Sequence, residues 1–538
     1  GGSTVGAAQV SALDRAGGGG PVTSDRAARD PRALPLFSIR TGRKRGKAFV
    51  DLQNDVTVED VALAHREGYA SVEHLKRYTT LGMATDQGKT SNVNGLALMA
   101  GHRGLSIPEV GTTRFRAPYV AVPLGAIAGR ELGEHFRPVR RTPMHDWHVA
   151  AGADMLSAGQ WMRPRVYRRP GESVTDAYIR ETRTVREAAG IVDVTTLGKI
   201  AVQGPDAAAF LDRVYVNGFS KLPVGKARYG VMLREDGFVF DDGTTWRLAE
   251  HDFLMTTTTA NAATVLAHLE TLLARDWPDM KVALASVTDE WAGLAIAGPL
   301  SRAILAAVTD GADLSEEGCP FMGIVRGRVA GRPVLIARLS FSGELAYEVY
   351  SGSRDGLAVW RRIHDHGARF GLVPYGTEAL GALRIEKGHV SGPELDGRTT
   401  LSDLGLGRMA SKAKPFVGKA LMDRPAMTAP DRLRLVGLRA LENRPIRTGS
   451  HLIALDANRS GPATSEGHVT SVTYSPALGE HVALALLSRG PERLGERLFA
   501  TYPLADDGVP VEVVSPHFVD PEGERLKAGP LGSSATGA

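Results

Sequence analysis

Two adjacent carboxylates, Asp241 and Asp242, stand inside an otherwise apolar run, FVFDDGTTW, shortly after an Asp236–Gly237 step. Asp-Gly between apolar runs is a strong hairpin signal, so KARYGVMLREDGFVFDDGTTWRLA reads as strand, tight turn and strand. A DD step by itself more often marks a solvated strand end. Here the alternation of the second strand turns one acid inward, where a carboxylate must be hydrogen-bonded or put to use. Tyr229, on the first strand, can face the same pocket across the hairpin.

A second cluster is SFSGELAYEVY (340–350), with Glu344 and Glu348 four residues apart. In an extended strand an even separation puts both on one face. A buried Glu beside aromatic side chains suits a flat heterocycle with adjacent N–H donors, because one carboxylate accepts two such bonds. Taken alone, the pattern also describes surface acids on an amphipathic strand.

Other chemistry-bearing patterns fail on spacing. GMATDQGKT (82–90) has five residues between its glycines where a phosphate-binding P-loop needs four. No GxGxxG follows a strand, so a dinucleotide fingerprint is missing. The two histidines of HDWH (145–148) are three apart but have no carboxylate partner in a known pattern, and no metal site is expected. The single cysteine, Cys319, excludes an intrachain disulfide and fits a cytoplasmic location.

The elements that must position these residues follow from the rest of the chain. Its 538 residues suggest three or four domains at about 150 residues each. A hydrophobic content of 43% and charged content of 23% are those of a globular protein. The net charge of +4 is dispersed, which argues against a nucleic-acid partner. No apolar run reaches the ~18 residues of a membrane span, and no signal peptide opens the chain.

Residues 1–43, Gly-rich and without apolar periodicity, read as a linker or the remnant of an upstream dinucleotide domain. Residues 44–105 read as a small, mostly helical domain, with Thr57 as an N-cap. Residues 106–165 read as a connecting segment, 166–425 as an α+β domain, 430–520 as a small antiparallel β-barrel, and 521–538 as a tail. VQGPDAAAFLDRV (202–214) is echoed by IAGPLSRAILAAV (296–308), the mark of a duplicated strand–Gly-Pro–helix unit.

In order and spacing, GPDAAAFLDRV, KARYGVMLREDGFVFDD, SFSGELAYEVY, YGTEALGALRIEKGHVSGPELDGRTTLSDLGLG and PFVGKALM resemble the glycine-cleavage T-protein, or aminomethyltransferase, family. GHVTSVTYSPALGEHVALALL is similar to that family's C-terminal barrel. FVDLQNDVTVEDVALAHREGYASVEHLKRYTTLGMATDQGKTSNVNGLALMAG resembles one branch, the alpha subunits of heterotetrameric sarcosine oxidase. That small domain looks like a bacterioferritin-associated-ferredoxin fold without its iron–sulfur ligands. Asp86 and nearby Thr and Ser residues stand where cysteines are expected. Residues 44–105 contain no cysteine, so a cluster cannot be held there.

The resemblance implies oxidation of sarcosine to glycine at a flavin. The one-carbon unit is then captured on tetrahydrofolate as 5,10-methylenetetrahydrofolate, and hydrogen peroxide is produced. FAD and FMN are expected on, or shared with, partner subunits (a flavin-bearing beta subunit, with small gamma and delta subunits). The resemblance places the essential acid at Asp242, the pterin-binding carboxylate at Glu348 and a pocket tyrosine at Tyr229. It also implies folate contacts at Thr258, Phe341 and Arg384. Thr258 replaces a family Asn, Phe341 a tyrosine, and Trp246 a further tyrosine. A T-protein arginine falls on Leu380, leaving Arg384 as the guanidinium of that helix. The branch's upstream domain binds NAD; without its fingerprint, NAD binding is expected to be missing or incomplete and the chain reads as a fragment or truncated product. The alternatives are a standalone tetrahydrofolate-dependent aminomethyltransferase or demethylase, and a non-catalytic folate-binding scaffold.

Overall fold

The computed structural model describes residues 35–39, 46–117, 119–120, 122–127, 130, 138–457, 463–505 and 507–527. The segments read as linker (1–43) and tail (521–538) fall mostly outside these. The chain divides into two compact units, Gly1–Phe136 and Arg137–Ala538. No helix among the described residues is long and apolar enough to cross a membrane.

The first unit pairs strands β1 (Phe49–Asp51) and β2 (Val56–Thr57) beside helices α1 (Val58–Arg66), α2 (Val72–Thr79) and α3 (Asn92–Arg103). Thr57 caps α1 reciprocally with Asp60. Val61, Leu75, Leu81, Leu96 and Met99 form its core. In the GKT loop the Asp86 carboxylate accepts from the Gly88 and Thr90 N–H groups at 3.1 and 3.2 Å. The Thr90 hydroxyl bond, ahead of other causes, pulls the Asp86 pKa down. An internal anion already uses the amides that a phosphate would need.

The second unit opens with helix α4 (His145–Ala150) and a hairpin, β3 (Ala153–Ala158) and β4 (Trp161–Tyr167). Most of these residues lie in the 106–165 stretch that the sequence reads as a connecting segment. Instead they are built into the unit: the Tyr167 N–H donates to buried Glu181 at 2.6 Å, and Thr142 and His148 bond Asp193. Helix α5 (Val174–Glu187) follows, then strands β5 (Gly190–Asp193) and β6 (Gly198–Gln203), helix α6 (Ala207–Val214), and strands β7 (Lys226–Leu233), β8 (Val239–Ala249) and β9 (Asp252–Thr257). Helix α7 (Ala262–Arg275) leads to β10 (Ala283–Ser286), β11 (Trp291–Ala297), helix α8 (Ser301–Ala306), β12 (Thr309–Asp310), β13 (Ile324–Val329), β14 (Arg332–Ala337) and β15 (Ala346–Gly352). Helix α9 (Gly356–Gly367), β16 (Val373–Pro374) and helix α10 (Thr377–Lys387) complete the domain.

These strands make two sheets. One is five-stranded and antiparallel, in the order β10-β6-β9-β8-β7; the other is seven-stranded, β12-β13-β14-β15-β11-β5-β16, with only the β16–β5 pair parallel. The internal echo is visible in both. Each repeat's strand ends on a glycine in the left-handed region, Gly204 at φ 129° and Gly298 at φ 118°. A Cβ on either would lie 2.2 Å from the Lys281 carbonyl oxygen or 2.5 Å from that of Val185, so the turn into the helix needs glycine twice. The sheets share a core in which Ala227, Trp246 and Leu254 of one meet Leu335, Ala346 and Tyr350 of the other, with Ala379 and Leu383 of α10. Cys319 is buried in a second cluster on the far side of the larger sheet.

The final strands, β17 (Leu433–Ala440), β18 (His451–Ala454), β19 (Gly467–Ser475), β20 (Glu480–Ser488), β21 (Arg497–Tyr502) and β22 (Asp507–Val514), close into an antiparallel barrel of order β17-β20-β19-β18-β21-β22. The α+β class and the C-terminal barrel thus stand as the sequence patterning implied.

Candidate functional site

The hairpin forms as its Asp-Gly step predicts. The Arg234 N–H donates to the Phe238 carbonyl at 2.9 Å, and Gly237 sits at φ 91°. Its register sets Val231 opposite Asp242 and Tyr229 opposite Thr244. Tyr229 and Asp242 therefore share a face, and the Tyr229 hydroxyl donates to Asp242 Oδ2 at 2.8 Å.

Asp241 points the other way, yet it too is enclosed. Its Oδ1 accepts from the Thr258 hydroxyl at 2.7 Å and from Asn261 Nδ2 at 3.3 Å, and its Oδ2 from the Thr258 N–H at 3.2 Å. The expectation of one inward and one outward acid gives way to two enclosed acids on opposite faces, with different company. Asp241 is a clamped carboxylate tying β8 to the start of α7. Asp242 has one phenol and much open hydrogen-bonding capacity. Burial, and next the neighbouring Asp241 charge, push the Asp242 carboxyl up to about 6. Burial also raises Asp241, against the pull of its Thr258 bond.

Glu348 lies on β15 opposite Ala295 and Ala337. Burial pushes its carboxyl up to about 7. Its Oε2 and the hydroxyl of Tyr350, two residues on, are both buried without a well-aligned hydrogen bond, and the phenol is near enough to pull the carboxyl back down against burial. Tyr350 stacks on Trp246 of β8 with ring centroids 4.7 Å apart. Period-two alternation puts Asp242 on the Trp246 face of β8 and Glu348 on the Tyr350 face of β15.

Glu344 departs from expectation. It does not share a strand face with Glu348, because β15 begins only at Ala346. The Ser340 hydroxyl, donating to the Glu344 carbonyl at 2.6 Å, and Gly343 at φ 80° close a turn first. The Glu344 carboxylate is paired with Arg186 at 2.6 Å and Arg525 at 2.9 Å.

Three other candidates are also placed differently from a simple ligand contact. The Thr258 hydroxyl is committed to Asp241. Phe341 is 41% exposed on the loop before β15, 5.8 Å from the His389 ring centroid. Arg384 is buried and spent: its Nη1 meets Glu394 at 2.8 Å and its Nη2 the Ser471 hydroxyl at 2.6 Å. A guanidinium held by a fully buried carboxylate braces α10 against the barrel and is not available as a free anion receptor. His148 of the HDWH stretch bonds Asp193 at 3.1 Å and Tyr167 at 2.8 Å, using both ring nitrogens. No group of three or more His, Cys, Asp or Glu suited to a metal occurs among the described residues.

One residue escaped the sequence reading. Lys199 is fully buried on β6; its ammonium donates to the carbonyls of Thr195 at 2.6 Å and Leu197 at 2.8 Å. It lies 5.7 Å from the Tyr350 ring centroid. Burial lowers its pKa to about 8, opposed by the charges of Asp193 and then Glu348. A lysine inside the apolar strand LGKIAVQG was the available signal.

With this geometry in view, three family models match the chain: a GCVT N-terminal domain over residues 144–414, a sarcosine oxidase A3 domain over 45–130, and a glycine cleavage T-protein C-terminal barrel domain over 434–520. The chain is 49% identical over 510 residues to a sarcosine oxidase subunit alpha of Rhizobium meliloti, covering 94% of this chain and 51% of that protein. It thus spans about half the length of the sarcosine oxidase relatives it matches. It is 36% identical over 382 residues to an aminomethyltransferase of Saccharopolyspora erythraea, covering 70% of this chain and 98% of that one. The crystal structure of aminomethyltransferase T from Bartonella henselae superposes with a TM-score of 0.62 at 24% identity, over 71% of this chain and 98% of the other, which is agreement of fold. The chain is homologous to sarcosine oxidase alpha subunits and belongs to the glycine cleavage T-protein family.

Proposed function

We propose that the chain is the folate-dependent one-carbon-capturing part of a sarcosine oxidase alpha subunit. One observation carries this reading: two enclosed carboxylates, Asp242 with its single phenol partner and Glu348 with only the Tyr350 phenol acting on it, lie on strand faces that also carry the stacked Trp246 and Tyr350. A buried acceptor with spare capacity is costly unless a ligand satisfies it. A pterin ring fits, since its adjacent N–H donors match one carboxylate edge-on and its flat faces suit aromatic walls.

When bound, tetrahydrofolate supplies the nucleophilic nitrogen that captures a one-carbon unit at the formaldehyde level of oxidation. Glu348 accepts from the ring's N–H groups and fixes its orientation. Asp242, poised near 6, accepts a proton at the reacting nitrogen while Tyr229 Oη holds its Oδ2. Holding the reactants in one enclosed space converts a bimolecular encounter into a local one. The flavin chemistry that oxidises sarcosine, with FAD and FMN, belongs in this reading to partner subunits of a heterotetramer, in the cytoplasm. The A3-domain match favours this over a standalone aminomethyltransferase.

The test is Asp242→Ala in the assembled complex. Formation of 5,10-methylenetetrahydrofolate from sarcosine should fall by at least about 100-fold, the range of a lost general base, while peroxide production continues and formaldehyde is released instead. Equal loss of both activities would sink the division of labour.

A further inference from the structure

Lys199 carries a buried charge that its hydrogen bonds leave unneutralised. Its backbone is anchored in β6: the Lys199 N–H donates to the Thr288 hydroxyl at 3.0 Å, and the Val287 N–H donates to the Lys199 carbonyl at 2.9 Å. The side chain is fully buried, and the acceptors of its ammonium, the carbonyls of Thr195 and Leu197, are uncharged. With a pKa of about 8 it is protonated at pH 7. Three acids act on it, Asp193, Glu348 and Asp289 in that order, and Arg140 opposes them. The Asp193 oxygens are taken by Thr142 at 2.6 Å, His148 at 3.1 Å and the Thr195 N–H at 2.9 Å. Asp289 is exposed and pairs with Arg140. Of the three, Glu348 is the buried acid with spare accepting capacity.

Geometry couples the two. Glu348 and Tyr350 are two residues apart on β15 and share a face, and the Tyr350 ring centroid lies 5.7 Å from the ammonium. The charge acting on Glu348 is that of Lys199, which lowers its pKa alongside the Tyr350 phenol. In a low-dielectric interior the two opposite charges balance each other. That balance decides which ring the carboxylate accepts. A 2-amino-4-oxo ring, such as that of tetrahydrofolate, offers two adjacent donors, its 2-amino group and N3–H, while staying neutral. A 2,4-diamino ring has no N3–H, and it offers two adjacent donors only after taking up a proton. Beside an unbalanced Glu348 the extra proton is stabilised. Beside Lys199 it sets two cations against one carboxylate, which is repulsive.

We infer that Lys199 sets the ring specificity of the site: by balancing Glu348 it makes the site select a neutral 2-amino-4-oxo pterin and reject a cationic 2,4-diamino one. The inference rests on the folate reading above and adds to it a positioning residue, which acts through Glu348.

The experiment compares binding of tetrahydrofolate with that of tetrahydroaminopterin, which carries a 4-amino group in place of the 4-oxo group, by anaerobic titration calorimetry of the full chain at pH 7. The wild-type chain should prefer tetrahydrofolate by about 10- to 100-fold, the worth of hydrogen bonds to a charged group. Lys199→Gln keeps donors for the two carbonyls but not the charge. Its preference should fall by at least about 10-fold, the effect of one pKa unit on the carboxylate, through weaker binding of tetrahydrofolate and tighter binding of tetrahydroaminopterin. Lys199→Arg should keep most of the wild-type ratio, and Lys199→Met repeats the neutral arm if Lys199→Gln does not fold. A purely structural lysine would weaken both ligands equally. An unchanged ratio in the neutral variant therefore overturns the specificity role and leaves the folate reading standing, as does a wild-type chain that binds without preferring tetrahydrofolate. A wild-type chain that binds neither ligand overturns both.

Discussion

The Asp242 carboxyl titrates near 6 because the protein surrounds it with burial and a second acid while giving it only one phenol. Two consequences follow at the scale of the residue. One is kinetic: methylene capture should decline as pH falls through about 6, since a protonated Asp242 accepts nothing; a pH–rate profile of capture, with peroxide production as internal control, reads this directly. The other is thermodynamic. A carboxyl whose folded pKa lies above its unfolded one binds its proton more tightly when folded. Its favourable contribution is complete below the unfolded pKa, near 3.8, and is lost as pH rises through about 6. At pH 7.5 the ionised Asp242 is thus a net cost. Asp242→Asn, which keeps an acceptor for Tyr229, should stabilise the chain by about 1–3 kcal/mol at pH 7.5 and much less at pH 4.5, as measured by urea melts. Lys199 acts on Glu348 in the same terms. Its charge lowers the Glu348 pKa, so Lys199→Met should move the pH at which tetrahydrofolate binding is lost upward, and Lys199→Arg should move it less. Alternation marks the Asp241–Asp242 pair, Tyr229 and the Glu344–Glu348 pair as candidates to face inward, while the choice of Asp242 and Glu348 within those pairs rests on the family resemblance. The partners of Asp241 and the commitment of Arg384 have no such mark, because they come from residues 10 to 87 positions away that no local pattern joins.

Elements carry constraints that single residues do not show. Glu394, fully buried, accepts from Arg384, Thr470 and Ser471, and so ties α10 to strand β19 of the barrel. Arg384→Met leaves that carboxylate unpaired and should cost about 3–5 kcal/mol; adding Glu394→Gln should recover a large part of the loss. If Arg384 instead acts mainly on ligand, Arg384→Met would lower folate affinity with little change in the urea midpoint. The separation of Glu344 from Glu348 also belongs to this scale. Strand periodicity does not carry across the turn set by Ser340 and Gly343, whose sequence signals are weaker than the apolar alternation beyond them. The Asp-Gly hairpin and the doubled Gly-Pro turn were legible because each requires a backbone conformation that few residues adopt.

At the scale of the molecule, the division after Phe136 moves a boundary. Residues 138–167 have the composition of a connector, rich in proline and basic residues, yet they supply Thr142, His148 and Tyr167 to buried acids of the next two elements, Glu181 of α5 and Asp193 of β5. Composition records exposure on average and misses a few buried polar bonds. A chain beginning at Arg137 should therefore fold and unfold cooperatively, whereas one beginning at residue 166 should not, because Asp193 loses two of its partners. Circular dichroism melts of the two fragments distinguish these outcomes.

Cys319 lies at 0% exposure in the core behind the seven-stranded sheet, with burial raising its thiol pKa. A sulfhydryl so placed reacts only when that core opens. The rate at which a maleimide consumes it then becomes a clock for breathing of this sheet, readable by mass spectrometry in crude lysate, with and without ligand. For the same reason, a dye aimed at a cysteine introduced on the surface would find a single target.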